Sequence, residues 1–285
     1  MDRVETRELS YFLTLAEELH FGRAAQRLDI TQPVLSRAIK RLERRLGVTL
    51  LERSSRKVTL TPAGEVLRHE GGRALDAVAA AVRRTQRTGH PDPRLVLVMK
   101  PGSDGGMLPD ILAAYEAEPD AIAVDVAFGV AERAAMLRDG RADVGLLHST
   151  HDLSGLDSEE LLVERQVVVL PRGHRLATAP GVRLADLRDE TMPRRATERI
   201  GPEVYETGQL LQLIALGRMV AVAPESVRGR LRDDLVAVPV VDAPPVTLLL
   251  AWPEGSRSRA VAAFVRAATT VAGRRATGPA VTALG

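Results

Sequence analysis

Amide, hydroxyl and cationic side chains recur at helical spacing within residues 31–44. Thr31 and Pro33 suit a helix start, because a threonine oxygen caps the first turn and the N–H that proline lacks has no partner there. An α-helix fits the major groove of DNA, where glutamine and arginine bind base edges through two hydrogen bonds. Five residues at the start of this helix are therefore predicted to contact bases: Gln32, Pro33, Ser36, Arg37 and Lys40.

A second set of side chains could hold the DNA backbone. Two β-leaning runs, residues 48–51 and 58–61, flank a basic segment over 53–57, which predicts a hairpin wing with a cationic tip. Cationic and hydroxyl side chains bind phosphate oxygens and fix the position of a protein on the duplex. The residues predicted to contact phosphate are Arg23, Thr31, Arg41, Arg53, Ser54, Arg56 and Lys57.

Three helices must position these side chains. Residues 7–20 predict a first helix that packs through Leu9, Phe12, Leu13, Ala16 and Leu19. A break at 21–22 and a short helix over 23–28 follow, and the polar helix then runs to Leu46, with Gly47 as its C-cap. Its predicted buried face consists of Leu35, Ala38, Ile39, Leu42 and Leu46. Two helices, a tight turn and a third helix with polar groups at its start form the helix-turn-helix arrangement.

The composition divides the chain electrostatically and excludes several classes of protein. Residues 1–90 hold 17 Lys and Arg against 11 Asp and Glu, and the rest of the chain holds 22 against 26. A locally positive field attracts a polyanion, whereas an aromatic content of 3% disfavours single-strand binding by base stacking. The absence of cysteine excludes disulfides and thiolate metal sites. Without a signal core or a bilayer-length apolar stretch, we expect a soluble cytoplasmic protein with no membrane partner.

A dense and ordered set of residues runs from Leu9 to Gly64. It comprises Phe12, Ala16, Phe21, Ala24, Ala25, Leu28, Thr31, Gln32, Pro33, Leu35, Ser36, Ile39, Leu42, Glu43, Leu46, Gly47, Leu50, Glu52, Arg53, Leu60, Thr61, Pro62 and Ala63. This set closely resembles the LysR-type transcriptional regulators over nearly the whole N-terminal domain. The clearest departure is Leu51, where the family commonly has Phe, and that change affects core packing more than base contact.

The segment after the wing predicts a long helix over 61–88, again with a threonine cap followed by proline. The resemblance implies that this linker helix pairs with a second copy, and its apolar positions Leu67, Ala74 and Val78 are the predicted dimer contacts. Gly71 and Gly72 lie in its middle, which predicts a kink or a close approach there. A hinge over 89–93 follows.

From Arg94 onward strands and helices alternate, which predicts α/β units with parallel sheets. The chain is thus α+β overall: a winged helix-turn-helix domain over 1–60, the linker helix, an effector-binding domain over 94–273 and a disordered tail over 274–285. The resemblance implies two subdomains like those of periplasmic binding proteins, with a small-molecule effector between them. Because ligands collect beyond the carboxyl ends of strands, the predicted effector contacts are Lys100, Gly102, Ser103, Phe128, His148 and Ser149.

Lys100 could pair with a carboxylate of the effector. His148 and His151 have a spacing that can bind metal on a helix, but no third ligand is evident, so neither a metal nor a cofactor is predicted. Nucleophile-elbow and phosphate-cradling glycine patterns are also missing, which disfavours an enzyme.

Residues 190–204 depart from the family, because this charged segment is twice interrupted by proline where relatives have a strand and a helix. The sequence therefore predicts a shortened second subdomain, and ligand contacts are expected mainly from the first. The resemblance implies an inverted-repeat DNA site, a homodimer or dimer of dimers, and contact with RNA polymerase. Two alternatives stay open: a C-terminal domain that only oligomerises the regulator, and an enzyme fused to a DNA-binding module.

Overall fold

The computed structural model describes residues 4–53, 57–89, 91–129, 132–193 and 207–277. The chain falls into two compact units, Met1–Gln86 with Arg138–Gly140, and Arg87–Leu137 with Arg141–Gly285. Each unit has its own buried apolar core.

The first unit is a winged helix-turn-helix. In chain order its elements are α1 (Thr6–Glu18), α2 (Phe21–Arg27), α3 (Gln32–Leu46), β1 (Leu51–Arg53), β2 (Val58–Leu60) and α4 (Pro62–Thr88). β1 and β2 pair antiparallel, with Leu51 opposite Leu60. The apolar face of α3 packs against α1 and α2 in one core. The largest fully buried residues of this core are Phe12, Leu15, Leu35, Ile39, Leu42 and Leu50.

The helix ends correct three of the sequence predictions. α2 begins at Phe21 and not at residue 23, because Nδ1 of His20 accepts hydrogen bonds from the backbone N–H groups of Gly22 and Arg23 and caps the helix there. Leu19 and Leu46 were predicted to be buried but are 42% and 37% exposed. Leu19 is the C-cap of α1 and Leu46 the last residue of α3, where the chain turns away from the core.

α4 is a single uninterrupted helix, and of the two alternatives predicted at its glycines, a kink or a close approach, the close approach is correct for one glycine. A Cβ on Gly71 would lie 3.3 Å from Cδ2 of Leu9, whereas one on Gly72 would meet nothing within 4 Å. At the start of the helix, a Cβ on Gly64 would lie 2.1 Å from the carbonyl oxygen of Leu50. The wing and α4 therefore approach so closely that only glycine fits at position 64.

The second unit contains a five-stranded sheet in the order β4-β3-β5-β10-β6. Its strands are β3 (Arg94–Met99), β4 (Ala123–Phe128), β5 (Val144–His148), β6 (Leu156–Glu164) and β10 (Val246–Pro253), and its helices are α5 (Leu108–Glu116), α6 (Arg133–Arg138) and α8 (Arg259–Thr277). β3, β4 and β5 are parallel, whereas β10 runs antiparallel to both of its neighbours. Leu97, Val144, Leu250 and Phe264 lie in the core between this sheet and α8.

A second sheet in the same unit has three strands in the order β8-β7-β9, all antiparallel. They are β7 (Gln166–Pro171), β8 (Ala221–Pro224) and β9 (Leu235–Pro239), accompanied by α7 (Thr207–Ala215) and by 3-10 helices at Leu184–Leu187 and Glu225–Arg230. The predicted parallel pairing is thus correct for β3, β4 and β5 and wrong for this sheet. The hydrophobic run of a fully buried strand does not reveal the direction of its neighbours.

Two further predictions are corrected. The sequence indicated no strand over 156–164, yet β6 forms there as an edge strand beside β10. The tail was expected to be disordered from residue 274, but α8 continues to Thr277, and the Arg275 guanidinium donates to the carbonyl oxygens of Gly105 and Gly106 at 2.9 and 2.6 Å. Residues 278–285 lie outside the described part of the chain. In the described ranges, no helix has the length and apolar character needed to cross a membrane.

Candidate nucleic-acid interface and ligand site

The outer surface of α3 carries the residues that were predicted to contact bases. Gln32, Pro33, Arg37 and Lys40 are exposed and Ser36 is half-buried. On the opposite side of the same helix, Leu35, Ala38, Ile39 and Leu42 are buried. The burial of this apolar face fixes the rotation of α3, and therefore the polar face points into solvent as one continuous surface.

A buried carboxylate fastens α3 to α1. Glu8, which is 2% exposed, accepts from Nε of Arg41 at 2.9 Å and from Nη1 of Arg45 at 2.7 Å. Glu8 also accepts from the backbone N–H of Glu5 and so completes the capping box at the start of α1. Sequence reasoning missed this role, because an acidic residue in a first helical turn is already explained by the helix dipole.

A glutamate of α3 also anchors the wing. Oε1 of Glu43 accepts from the backbone N–H groups of Leu50 and Leu51 at 2.9 and 3.3 Å. Oγ1 of Thr61 donates to the carbonyl of Thr49 at 2.7 Å and accepts from Gly64 at 3.0 Å, which caps α4. The wing is thereby held at both ends beside the polar surface of α3.

The predicted phosphate contacts differ in their present partners. Arg23 forms an ion pair with Glu18 at 3.1 Å, and Arg41 forms the one with Glu8. Thr31 is exposed at the start of α3 and makes no side-chain capping bond, and Lys57 is exposed before β2. The side chain of Arg53, together with Ser54 and Arg56, lies outside the described residues.

The predicted dimer contacts on α4 also differ in how far they are buried within one chain. Leu67 is half-buried and packs against the core of its own helix-turn-helix. Ala74 is exposed, and Val78 is 47% exposed on a side of the helix that also presents Val82, one turn further along. Within one chain, the exposed apolar side of α4 is thus formed by Ala74, Val78 and Val82.

In the second unit, the parallel strands bring the predicted ligand residues to one edge of the five-stranded sheet. Lys100 follows β3, Phe128 ends β4 with 63% of its surface exposed, and His148 ends β5. Gly102 adopts a φ of 77° in the loop after β3, and half-buried Ser103 donates its N–H to the Lys100 carbonyl at 3.1 Å. Ser149 is instead engaged with β10, since its hydroxyl accepts from the N–H of Thr247 at 3.2 Å.

Sequence reasoning missed Arg133, the first residue of α6, which is only 3% exposed. Its Nη1 donates to the carbonyl of Leu146 at 3.2 Å, and its Nη2 lies 2.9 Å from Nε2 of His151. A guanidinium can only donate, so Nε2 accepts and the His151 proton is on Nδ1, which donates to the His148 carbonyl at 3.0 Å. Nε of Arg133 is buried without a hydrogen-bond partner.

These four side chains form a cluster of basic groups, which we call the cationic cluster: Lys100, Arg133, His148 and His151. Burial lowers the pKa of Arg133 to about 10, so it keeps its charge at pH 7. Burial and the Arg133 charge lower the pKa of Lys100. Burial and the neighbouring cations lower the pKa of His148 to about 4, and burial and Arg133 lower that of His151. Both imidazoles are therefore neutral near pH 7.

A side chain from the 3-10 helix that follows β8 reaches the loop after β3. Nη2 of Arg230, at the end of a 3-10 helix, lies 2.6 Å from Oδ1 of Asp104, which is 3% exposed in the loop after β3. Thr197 and Arg199, expected to matter little for ligand affinity, lie outside the described residues. Within the described ranges, no group of three metal-ligating side chains occurs.

Two family models match the chain. Residues 6–65 match the bacterial regulatory helix-turn-helix protein, lysR family, and residues 88–197 and 192–273 match the LysR substrate binding domain. The HTH-type transcriptional regulator AlsR of Bacillus subtilis is 36% identical over 197 residues, which cover 68% of this chain and 65% of AlsR. The uncharacterized HTH-type transcriptional regulator YnfL of Escherichia coli is 30% identical over 275 residues, covering 88% of this chain and 93% of YnfL.

The fold is also similar to solved structures. The crystal structure of full-length BenM, a regulator of Acinetobacter baylyi, superposes with a TM-score of 0.53 at 26% identity, covering 98% of this chain and 100% of BenM. The similarity therefore extends through both units.

Proposed function

This chain belongs to the LysR family of bacterial regulators, and from that premise we propose that it binds an inverted-repeat site in duplex DNA as a homodimer or a dimer of dimers. The family membership makes it a DNA-binding transcription regulator with an effector-binding domain, and not an enzyme.

The observation that carries the DNA-binding proposal is the polar surface of α3. Gln32, Ser36 and Arg37 at its start face away from the core and can reach base edges in the major groove. Pro33 and Lys40 border them on the same surface. The backbone contacts proposed around this surface are Arg23, Thr31, Arg41, Arg53, Ser54, Arg56 and Lys57. Of these, Arg23 and Arg41 would exchange or share their carboxylate partners on binding phosphate.

The exposed valines of α4 support the proposed dimer. Two copies of α4 that pair through Val78 and Ala74 would remove these side chains from water, and Leu67 would lie at the border between this seam and its own core. A two-fold symmetric protein presents its two α3 helices to the two halves of a palindrome. The inverted repeat follows from this symmetry.

We place the effector at the carboxyl edge of β3, β4 and β5. The residues proposed to contact it are Lys100, Gly102, Ser103, Phe128, His148 and Ser149. The position of these residues at or just after the ends of the strands supports the proposal, because ligands of open α/β sheets bind beyond the carboxyl ends of the strands. Contact with RNA polymerase and a location in the cytoplasm complete the proposal, since a regulator of this type acts on the promoter itself.

The test selects DNA sites from a random duplex pool with the full-length protein and measures their affinity by gel shift. The expected result is two inverted half-sites whose centres are about one helical turn, 34–36 Å, apart, or a multiple of this. Enrichment of single, unpaired half-sites would contradict the proposed symmetry.

The effector is tested separately, by a thermal-shift screen of metabolites followed by gel shifts with each hit. A compound that raises the Tm and changes DNA affinity supports sensing. If no compound does either, while the protein still oligomerises and binds its site, the C-terminal unit is an oligomerisation scaffold.

A further inference from the structure

The guanidinium of Arg41 on α3 is held on one side and open on the other. Its Nε donates to Oε1 of Glu8 at 2.9 Å, and only 3% of the Glu8 side chain is exposed. The Arg41 side chain is nevertheless 54% exposed, and no hydrogen bond joins its Nη1 or Nη2 to another described residue. These two nitrogens form a fork that matches two oxygens of one phosphate.

The carboxylate of Glu8 has little freedom to turn. Its Oε2 accepts from Nη1 of Arg45 at 2.7 Å and from the backbone N–H of Glu5 at 3.3 Å, so both oxygens are engaged. Glu8 lies in the first turn of α1, which the burial of Phe12 fixes against the core. The Arg45 side chain is only 19% exposed. Of the two cations that Glu8 holds, Arg41 is therefore the one that extends into solvent.

The place of Arg41 on α3 suits a contact with the DNA backbone. Arg41 lies one turn after Arg37 and directly after Lys40, and all three side chains are exposed. Arg37 and Lys40 are proposed to reach bases. A helix in the major groove has phosphates on both sides of the bases that it contacts, and cationic side chains along its border bind them.

A second arginine with a proposed phosphate contact is held differently. Arg23 donates to the Glu18 carboxylate through Nε at 3.1 Å and to the Glu18 carbonyl through Nη2. One nitrogen of its terminal fork is thus already occupied, and Arg23 has to break a bond before it can bind a phosphate through both. Arg41 keeps its bond to Glu8 while its complete fork is available.

We propose that Glu8 is a positioning residue for DNA binding: its Oε1 holds Nε of Arg41 and thereby orients Nη1 and Nη2 towards a phosphate of the duplex. The inference rests on the proposed phosphate contact of Arg41 and names the residue that orients it. An arginine that is already ordered loses less side-chain entropy when it binds. The buried carboxylate therefore strengthens the binding of a polyanion even though its own charge opposes it.

Two effects of Glu8→Gln on DNA affinity have opposite signs, which makes the variant informative. Loss of a negative charge from the DNA-binding unit raises the affinity for DNA through the long-range field. Loss of the oriented Arg41 fork lowers it and also reduces the number of phosphates that the protein neutralises. The dependence of affinity on salt concentration reports that number, and a purely structural role of Glu8 would not change it.

The experiment measures binding of the full-length protein to a random-sequence duplex of fixed length, by fluorescence anisotropy at several salt concentrations. Glu8→Gln should weaken binding roughly threefold or more and reduce the salt slope by up to about one. Glu17→Gln is the matched control, because it removes the same charge from α1 while its partner Arg27 lies on α2. Glu17→Gln should leave the salt slope unchanged and should not weaken binding.

A double-mutant cycle with Arg41→Met separates positioning from a general loss of structure. Arg41→Met should weaken binding roughly tenfold and reduce the salt slope by about one. Glu8→Gln should cause no further weakening when Arg41 is already replaced. Equal weakening by Glu8→Gln with and without Arg41 would assign the effect to the fold and overturn the proposal.

The remaining outcomes distinguish this inference from the proposed backbone contact. If Arg41→Met weakens binding and Glu8→Gln does not, the phosphate contact stands and the positioning role fails. If Arg41→Met changes neither affinity nor salt slope, both fail.

Arg41→Lys provides a test that leaves Glu8 in place. The charge is kept, but a single ammonium group cannot hold Glu8 with one nitrogen and bind a phosphate with two others. The variant should bind DNA more weakly than the unchanged protein. Equal affinity and an equal salt slope would show that the oriented fork is not used and would overturn the proposal.

Discussion

The carboxylate of Glu8 lies 2.7 Å from Nη1 of Arg45 and is almost entirely removed from solvent. The same carboxylate accepts from Arg41, so one side chain of α1 holds two cations of α3. The proposed base-contacting face of α3 therefore depends on a residue that lies outside it.

Glu8→Gln should lower the free energy of unfolding by about 1–3 kcal/mol, because a buried charged hydrogen-bond partner is lost. The matched control is Glu17→Gln on the same helix. Glu17 pairs with Arg27 while 58% of its side chain is exposed, so its loss should change stability by less than about 0.5 kcal/mol. Chemical denaturation of the full chain measures both. Equal effects of the two variants would show that Glu8 is not an anchor.

Two glycines of α4 should respond to alanine with opposite signs. Gly64→Ala should destabilise by about 1–3 kcal/mol or more, because its Cβ would collide with the Leu50 carbonyl. Gly72→Ala should stabilise by about 1 kcal/mol, since the helix gains propensity and the Cβ meets nothing. Thermal unfolding gives both values. A tolerated Gly64→Ala would mean that the wing can move away from α4.

Arg37→Ala should cost about 1–3 kcal/mol at the cognate DNA site and relax the base preference there, because a base-edge contact is lost. Lys57→Ala, the comparison variant, should weaken cognate and random DNA alike and reduce the salt slope by about one. Competition binding at several salt concentrations separates the two. Arg37 is assigned wrongly if its loss leaves specificity intact.

Val78→Asp should dissociate the dimer, because it buries an unpaired charge in the proposed seam. His69→Asp adds the same charge nine residues earlier, which is two and a half helical turns and therefore the opposite side of α4. That variant should stay dimeric. Sedimentation and gel shift should show a joint loss of dimer and DNA affinity for Val78→Asp alone, and a dimeric Val78→Asp would locate the seam elsewhere.

His148 should make the ligand-free protein sensitive to acid. Its pKa is about 4 in the folded protein and near 6.5 when unfolded, so the unfolded state binds more protons between these values. Stability contributed by neutral His148 is therefore complete above pH 6.5 and is lost as the pH falls towards 4. His148→Gln should flatten this part of the stability profile, in urea titrations at several pH values. Lys100, Arg133 and His151 face the imidazole, and His151 keeps a weaker dependence in the variant.

Elements with a local signal could be predicted from the sequence. The bounds of α3 agree with the structure residue for residue, because an early proline and the apolar spacing mark its start and Gly47 marks its end. β6 carries no such signal. It is a charged edge strand, and its strand conformation depends on pairing with β10, whose residues lie far along the chain.

The residues of the candidate sites also fall into those that could be predicted from the sequence and those that could not. Exposed polar residues of α3 follow from helical periodicity, since the buried face determines the exposed one. Arg133 and Glu8 could not be predicted as buried, because charged residues are placed at the surface by default. Their burial results from packing between elements that are distant in sequence.

The position of β10 between β5 and β6 determines the order in which this chain can fold. Leu250 pairs with Leu146 on one side and Glu159 on the other, so the five-stranded sheet is incomplete until nearly the whole chain has left the ribosome. The helix-turn-helix core uses only contacts close in sequence and can form first. A nascent or truncated chain that ends before Val246 would therefore hold a finished DNA-binding domain beside a sensor with the open edges of β5 and β6, which are prone to aggregate.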